Sequence, residues 1–106
     1  MRMQIDDFQK HALKSVTLTD KDLAALAHRT LGLTGEAGIL ANHLKKVIRD
    51  KGGIADDADK AEAKKRLGDV IYYAAVLADY FDLTLSEIAQ QNMDQSTAFK
   101  EKRNQS

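Results

Sequence analysis

Two short segments place a single acid in apolar, helix-forming surroundings: Gly35-Glu36-Ala37-Gly38 and, thirty-odd residues later, Leu67-Gly68-Asp69-Val70. An ionised carboxylate taken out of water needs a partner or a metal, because its desolvation is costly. A hard divalent ion such as Mg²⁺ takes oxygen ligands and keeps waters and substrate phosphates in its shell. Carboxylates projecting inward from facing helices are one way a helical bundle holds such an ion. On spacing alone the commoner explanation is that both acids are solvated or paired with Lys or Arg.

The elements that must position these acids read as helices throughout. The chain has no Pro, so nothing prevents long uninterrupted helices. Ile5, Phe8, Ala12 and Leu13 fall near one face of a short helix running from Ile5 to about Ser15, with Phe8 as a core anchor. Thr19-Asp20-Lys21-Asp22 suits a helix start, with Thr19 as the cap. From Leu23 to Ile48 the apolar positions Leu23, Leu26, Ala27, Thr30, Leu33, Ala37, Leu40, Ala41, Leu44, Val47 and Ile48 keep helical period. Gly32, Gly35 and Gly38 interrupt that run, which predicts either one long helix bent near Gly32 or two helices joined there. They also form a smooth strip that another helix or a ligand could approach closely.

Gly52-Gly53 stops this element, and Asp56 and Asp57 suit the start of the next. The first turns of that helix are highly charged and read as solvated. Leu67, Val70, Ile71, Ala74, Leu77, Ala78 and Phe81 then form its apolar stripe, and Tyr72, Tyr73, Ala75 and Val76 extend apolar character around it. Thr84 and Glu87 fit a capping box for a last helix using Leu85, Ile88, Ala89, Met93 and Phe99, with fraying after about Lys100. The fold expected is all-α, four or five helices in a bundle, as one domain over residues 1–106.

Lys+Arg and Asp+Glu number 16 each. A zero net charge argues against binding a nucleic-acid polymer or a membrane surface. The absence of Cys removes disulfides and thiolate chemistry. No apolar run is long enough to span a bilayer, and Met1-Arg2-Met3-Gln4 carries no apolar signal, so a cytoplasmic protein is expected.

The run Leu31-Gly32-Leu33-Thr34-Gly35-Glu36-Ala37-Gly38, then Lys45-Lys46, then Leu67-Gly68-Asp69-Val70-Ile71-Tyr72-Tyr73 resembles the MazG-like nucleotide pyrophosphohydrolases. Phe8-Gln9 and Leu83 through Asn92 extend the likeness over most of the chain. The resemblance implies an all-α dimer or tetramer that uses Mg²⁺ to hydrolyse a nucleoside triphosphate to the monophosphate and pyrophosphate. It also implies a Glu-x-x-Glu segment followed by a Glu-x-x-Asp segment. Glu36 matches the first acid and Asp69 the last, which makes them the catalytic and metal-binding pair. The second and third positions hold Ile39 and Arg66. Ile cannot coordinate a metal, and Arg carries a fixed positive charge where a dication would sit. Glu62, one turn before Arg66, and His43, one turn after Ile39, are candidate stand-ins, and neither fits the motif.

By the same resemblance Lys45 and Lys46 lie in the region of the family's basic residues, where an ammonium neutralises phosphate oxygens. Ordinary solvation at a helix C-terminus explains them equally well. Asn92 matches a polar position near the family's metal and nucleotide, and a surface amide is the equal alternative. Tyr72 and Tyr73 suit core or interface packing ahead of base stacking. His11 and His28 lack metal-ligand spacing and read as structural or exposed.

The function expected is Mg²⁺-dependent pyrophosphohydrolysis of an NTP or dNTP, impaired by Ile39 and Arg66, with weak or absent Mg²⁺ binding. Metals would lower the pKa of a bound water and a carboxylate would orient it. The alternative is a catalytically silent helical module that binds nucleotides or acts through assembly. Arg66 and Asp69, three apart on one helix, can meet, and a guanidinium there can bridge to Glu36 on the facing helix.

Overall fold

A computed structural model describes residues 3–105. Met1, Arg2 and Ser106, the outermost residues of the expected domain, lie outside the described residues. The described chain forms four α-helices and no strand: α1 (Ile5–Leu13), α2 (Leu23–Lys51), α3 (Asp57–Tyr80) and α4 (Leu85–Asn104). None of them is long and apolar enough to cross a membrane.

Short polar side chains set the starts. Asp22 accepts from the Ala25 amide at 3.0 Å, so the cap of α2 lies three residues after the Thr19 expected from sequence. Asp22 wins because it directly precedes the apolar run that packs. Asp56 with Asp59, and Thr84 with Glu87, form reciprocal capping boxes that satisfy orphan donors of α3 and α4. Gly52 and Gly53, at φ 61° and 83°, end α2 through a left-handed turn in which the Gly53 amide donates to the Val47 carbonyl at 3.2 Å. The turn after α3 uses Asp82 at φ 58°, a conformation Asp tolerates better than most side chains. Two ends differ from the sequence reading: α1 stops at Leu13, and α4 continues through Lys100 to Asn104.

α2 is one uninterrupted helix of 29 residues, about 43 Å long at the usual rise. Gly32 is needed within the chain, because a Cβ there would overlap the Tyr73 ring. Gly35, Gly38 and Gly68 have nothing within 4 Å of an added Cβ. α2 and α3 pack as an antiparallel pair. Cross-helix contacts of Arg29 with Val76, Glu36 with Arg66 and His43 with Asp59 advance along α2 while retreating along α3. The inner face of α2 therefore carries Ala25, Arg29, Glu36, His43 and Val47, while Leu23 and Ile48 are exposed. Of the apolar stripe read off the sequence, Leu26, Leu33, Leu40 and Val47 are half-buried or buried on this face, while Leu23, Ala27, Thr30, Leu44 and Ile48 are exposed.

The core sits at one end, where Ala12 of α1, Ala75, Val76 and Ala78 of α3 and Leu85 of α4 are buried, with Phe8, Leu13, Tyr72 and Tyr73 packed around them. Buried Ala lets the helices approach closely. Gln9 ties three elements together there: its Nε2 donates to the Ala75 and Leu83 carbonyls at 3.0 Å each, and its Oε1 accepts from the Leu85 amide at 3.1 Å. Asp6 accepts from the Ser86 amide at 2.9 Å and the Ser86 hydroxyl at 2.6 Å, fixing the first turn of α4. Beyond that turn α4 is exposed along its length, including Ile88, Met93 and Phe99. The radius of gyration is 17.0 Å, against about 13 Å for a compact domain of this length.

Candidate functional site

Glu36 and Asp69 face one another across Arg66. The Arg66 Nη1 lies 3.5 Å from Glu36 Oε2 and 4.0 Å from Asp69 Oδ2, and its Nε donates to Glu62 Oε1 at 2.8 Å. Three carboxylates from two helices thus converge on one guanidinium. Glu62 and Asp69 reach it because they stand one turn before and one turn after Arg66 on α3. Glu36 reaches it because the antiparallel pairing brings the middle of α2 to this level. The four side chains are partly exposed, Arg66 at 24% and Asp69 at 43%. Arg66 holds the Glu62 carboxyl below its usual range, and the Arg66 pKa is itself raised, by Glu62 first.

This donor set does not fit the Mg²⁺ site that the resemblance implies. A cation is already seated among the carboxylates, and a guanidinium cannot shed its charge to make way. Ile39, one turn beyond Glu36, brings an apolar side chain where the motif has an acid. Among the described residues no three His, Asp or Glu side chains group closely enough to hold a metal ion.

The other candidate residues stand apart from this cluster. Lys45 and Lys46 are exposed on α2, about 13–15 Å further along its axis than Glu36 at the usual rise. Asn92 is exposed on α4, which packs chiefly on α1. Tyr72 and Tyr73 pack against the core and each other edge to face at 5.0 Å, with the Ser15 hydroxyl donating to the Tyr72 oxygen at 3.1 Å. His28 is exposed with its ring 6.2 Å from that of Tyr73, and His11 is exposed.

His43 belongs to a second cluster, at the hairpin end. Its Nε2 is 3.0 Å from Asp59 Oδ1, and Lys51 Nζ donates to both Asp59 and Asp56 at 2.8 Å. Asp59 is buried, an exception to the otherwise exposed first turns of α3 expected from sequence. Lys51, then the Asp56 amide, then His43 hold its carboxyl far below the ordinary value of 3.8. A carboxyl depressed in the folded state stabilises the fold above its unfolded pKa, and that contribution drains away as pH falls through the folded one. Asp59→Asn is therefore expected to lower the melting temperature at neutral pH and to flatten its fall between about pH 5 and pH 2. Thermal melts followed by circular dichroism check this, and parallel curves for the two proteins would contradict it.

Arg29 is the polar residue that sequence pattern missed. It is 3% exposed, with Nη1 donating to the Val76 carbonyl at 2.7 Å, Nη2 to the Leu18 carbonyl at 3.3 Å, and Asp79 at 3.6 Å. Its signal was position: it stands three residues after Leu26 and four before Leu33, on the same helical face as both.

The chain is 38% identical over 80 residues to the Gene 37 protein of Mycobacterium phage L5, an overlap spanning 76% of this chain and 70% of that protein. The chain belongs to the family of that phage protein. The Gene 37 name states no activity, so membership shows descent and the chemistry must be read from the Arg66 cluster. No family model and no solved structure matches the chain.

Proposed function

We propose that this chain is a MazG-like nucleotide pyrophosphohydrolase whose reaction, hydrolysis of an NTP or dNTP to the monophosphate and pyrophosphate, is impaired by Ile39 and Arg66. The observation that carries the reading is the convergence of Glu36 and Asp69, from segments far apart in sequence, on Arg66, which stands at the position of the third acid. In this reading a carboxylate of the pair orients the attacking water, as general-base chemistry requires. Both carboxylates are already engaged with Arg66, which is why turnover is slow. By the resemblance, Lys45 and Lys46 offset phosphate charge and Asn92 contacts the nucleotide.

A second reading, a silent module that binds nucleotide or acts only through assembly, is favoured by the same guanidinium. Titrating the unaltered chain with Mg²⁺ and several triphosphates, with pyrophosphate followed, separates the two. Release above that of Glu36→Gln supports the hydrolase. Release equal to that variant, with nucleotide still bound, supports the silent module. Absence of both release and binding overturns the hydrolase and the nucleotide-binding module, and leaves a module that acts through assembly.

Assembly is part of the proposal. Leu67, Ile71 and Phe81 of α3 are about half exposed, and an apolar groove lined by Leu33, Ala74, Leu77, Phe81 and Ile88 opens on the same side as the start of α4. Exposed apolar surface of this extent on an expanded chain is characteristic of an interface. A homodimer or tetramer is expected, and a sedimentation mass of one chain at micromolar concentration would contradict it.

A further inference from the structure

We infer that Arg66 is the resident cation of the acidic cluster: it holds Glu36, Glu62 and Asp69 together without a divalent ion, and its presence denies such an ion the site. The inference rests on the resemblance that makes Glu36 and Asp69 former metal ligands, and it adds a binding property which that reading lacks.

The geometry assigns each donor. Nε serves Glu62 at 2.8 Å, and Nη1 faces both Glu36 at 3.5 Å and Asp69 at 4.0 Å. One planar group thus spans three acids on two helices, which a Lys ammonium, a point charge on a flexible stem, reproduces poorly. A Mg²⁺ ion bound by carboxylates needs oxygens at about 2.0–2.1 Å in near-ideal octahedral geometry. Entering between Glu36 and Asp69 would set it against a permanent positive charge in van der Waals range. Three carboxylates against one guanidinium leave the cluster net negative, so removing Arg66 turns it into an unbalanced acidic site that a dication can relieve. Ile39 adds no ligand and no charge to either state.

The measurement is a melting curve in EDTA and in Mg²⁺, at matched ionic strength, for the unaltered chain, Arg66→Ala and Arg66→Lys. The unaltered chain is expected to melt at the same temperature in both. Arg66→Ala is expected to melt lower in EDTA and to regain roughly 5 °C in millimolar Mg²⁺, as a ligand that binds only the folded state should cause. Arg66→Lys should fall between them in EDTA. If Arg66→Ala does not fold in EDTA, folding rescued by Mg²⁺ reads the same gain. A second measurement uses the unaltered chain alone: Mn²⁺ paramagnetic resonance should show no bound ion that Glu36→Gln removes. Equal melting temperatures and equal Mg²⁺ responses across the three proteins, or a Glu36-dependent Mn²⁺ site in the unaltered chain, would overturn the inference. These readouts need no turnover. A chain that hydrolyses triphosphates freely and binds Mn²⁺ through Glu36 keeps the hydrolase reading and loses this one. A chain inert to nucleotides whose Arg66→Ala form gains Mg²⁺ does the reverse.

Discussion

The double substitution Ile39→Glu with Arg66→Glu is expected to raise Mg²⁺-dependent pyrophosphate release by at least about 100-fold over the unaltered chain. Losing even a residue that supports a metal ligand typically costs 10–100-fold in activity, and here two ligand positions are restored. A carboxylate at position 39 stands one turn from Glu36 on α2, and one at position 66 stands one turn before Asp69 on α3, so four oxygen-bearing side chains would face a common space. Ile39 is 43% exposed, so a charge there displaces no core. Removing the guanidinium also frees Glu36, Glu62 and Asp69 to act as ligands. The variant should be less stable in EDTA than the unaltered chain, because the added carboxylates repel. An unaltered chain that turns over triphosphates as fast as the variant would mean the motif has been misplaced.

The largest stability effect is expected at Arg29. Arg29→Ala takes a donor from the buried Val76 carbonyl and from the part-buried Leu18 carbonyl, leaves Asp79 without its partner and opens space between α2 and α3. Breaking a buried charged network by removing one member typically costs about 3–5 kcal/mol. Arg29→Met loses the same polar partners but keeps most of the stem volume between α2 and α3, so it should cost less by the packing that Ala gives up. Urea unfolding of both variants checks the order. A loss under about 1 kcal/mol for Arg29→Ala, within the range of ordinary surface substitutions, would mean that the guanidinium does not bind the helices together.

Much of the architecture was legible because it follows from local chemistry. The Thr84–Glu87 capping box, the Asp56 start and the Gly52-Gly53 stop are set by residues within one turn of each boundary. The face of α2 was legible in part: Leu26, Leu33, Leu40 and Val47 turn inward as their period implied. Apolar residues occur so widely around that helix that periodicity did not separate them from the exposed Leu23 and Ile48, nor mark Ala25 and Arg29 as buried. Buried polar residues escaped for a related reason. Gln9 and Arg29 are tolerated inside because carbonyls distant in sequence accept from them, and no local pattern announces those partners, while Asp59 adds Lys51 and His43 to its local capping bonds with Asp56. Within the candidate site, the Arg66–Asp69 spacing was readable from a helical wheel, and the reach to Glu36 needed only the antiparallel packing of two long helices. The roles of Lys45, Lys46 and Asn92 depend on what lies across from them, which one chain does not supply.

Phosphorus NMR of a dNTP incubated with Mg²⁺ and the Ile39→Glu, Arg66→Glu protein tests the descent of the Glu36–Asp69 pair most directly, because the products report which phosphoryl bond breaks. The expected spectrum shows the monophosphate and pyrophosphate growing together, and the same protein carrying Glu36→Gln as well leaves the triphosphate intact. Diphosphate with inorganic phosphate, or an unchanged triphosphate in the presence of folded protein, would contradict the assignment.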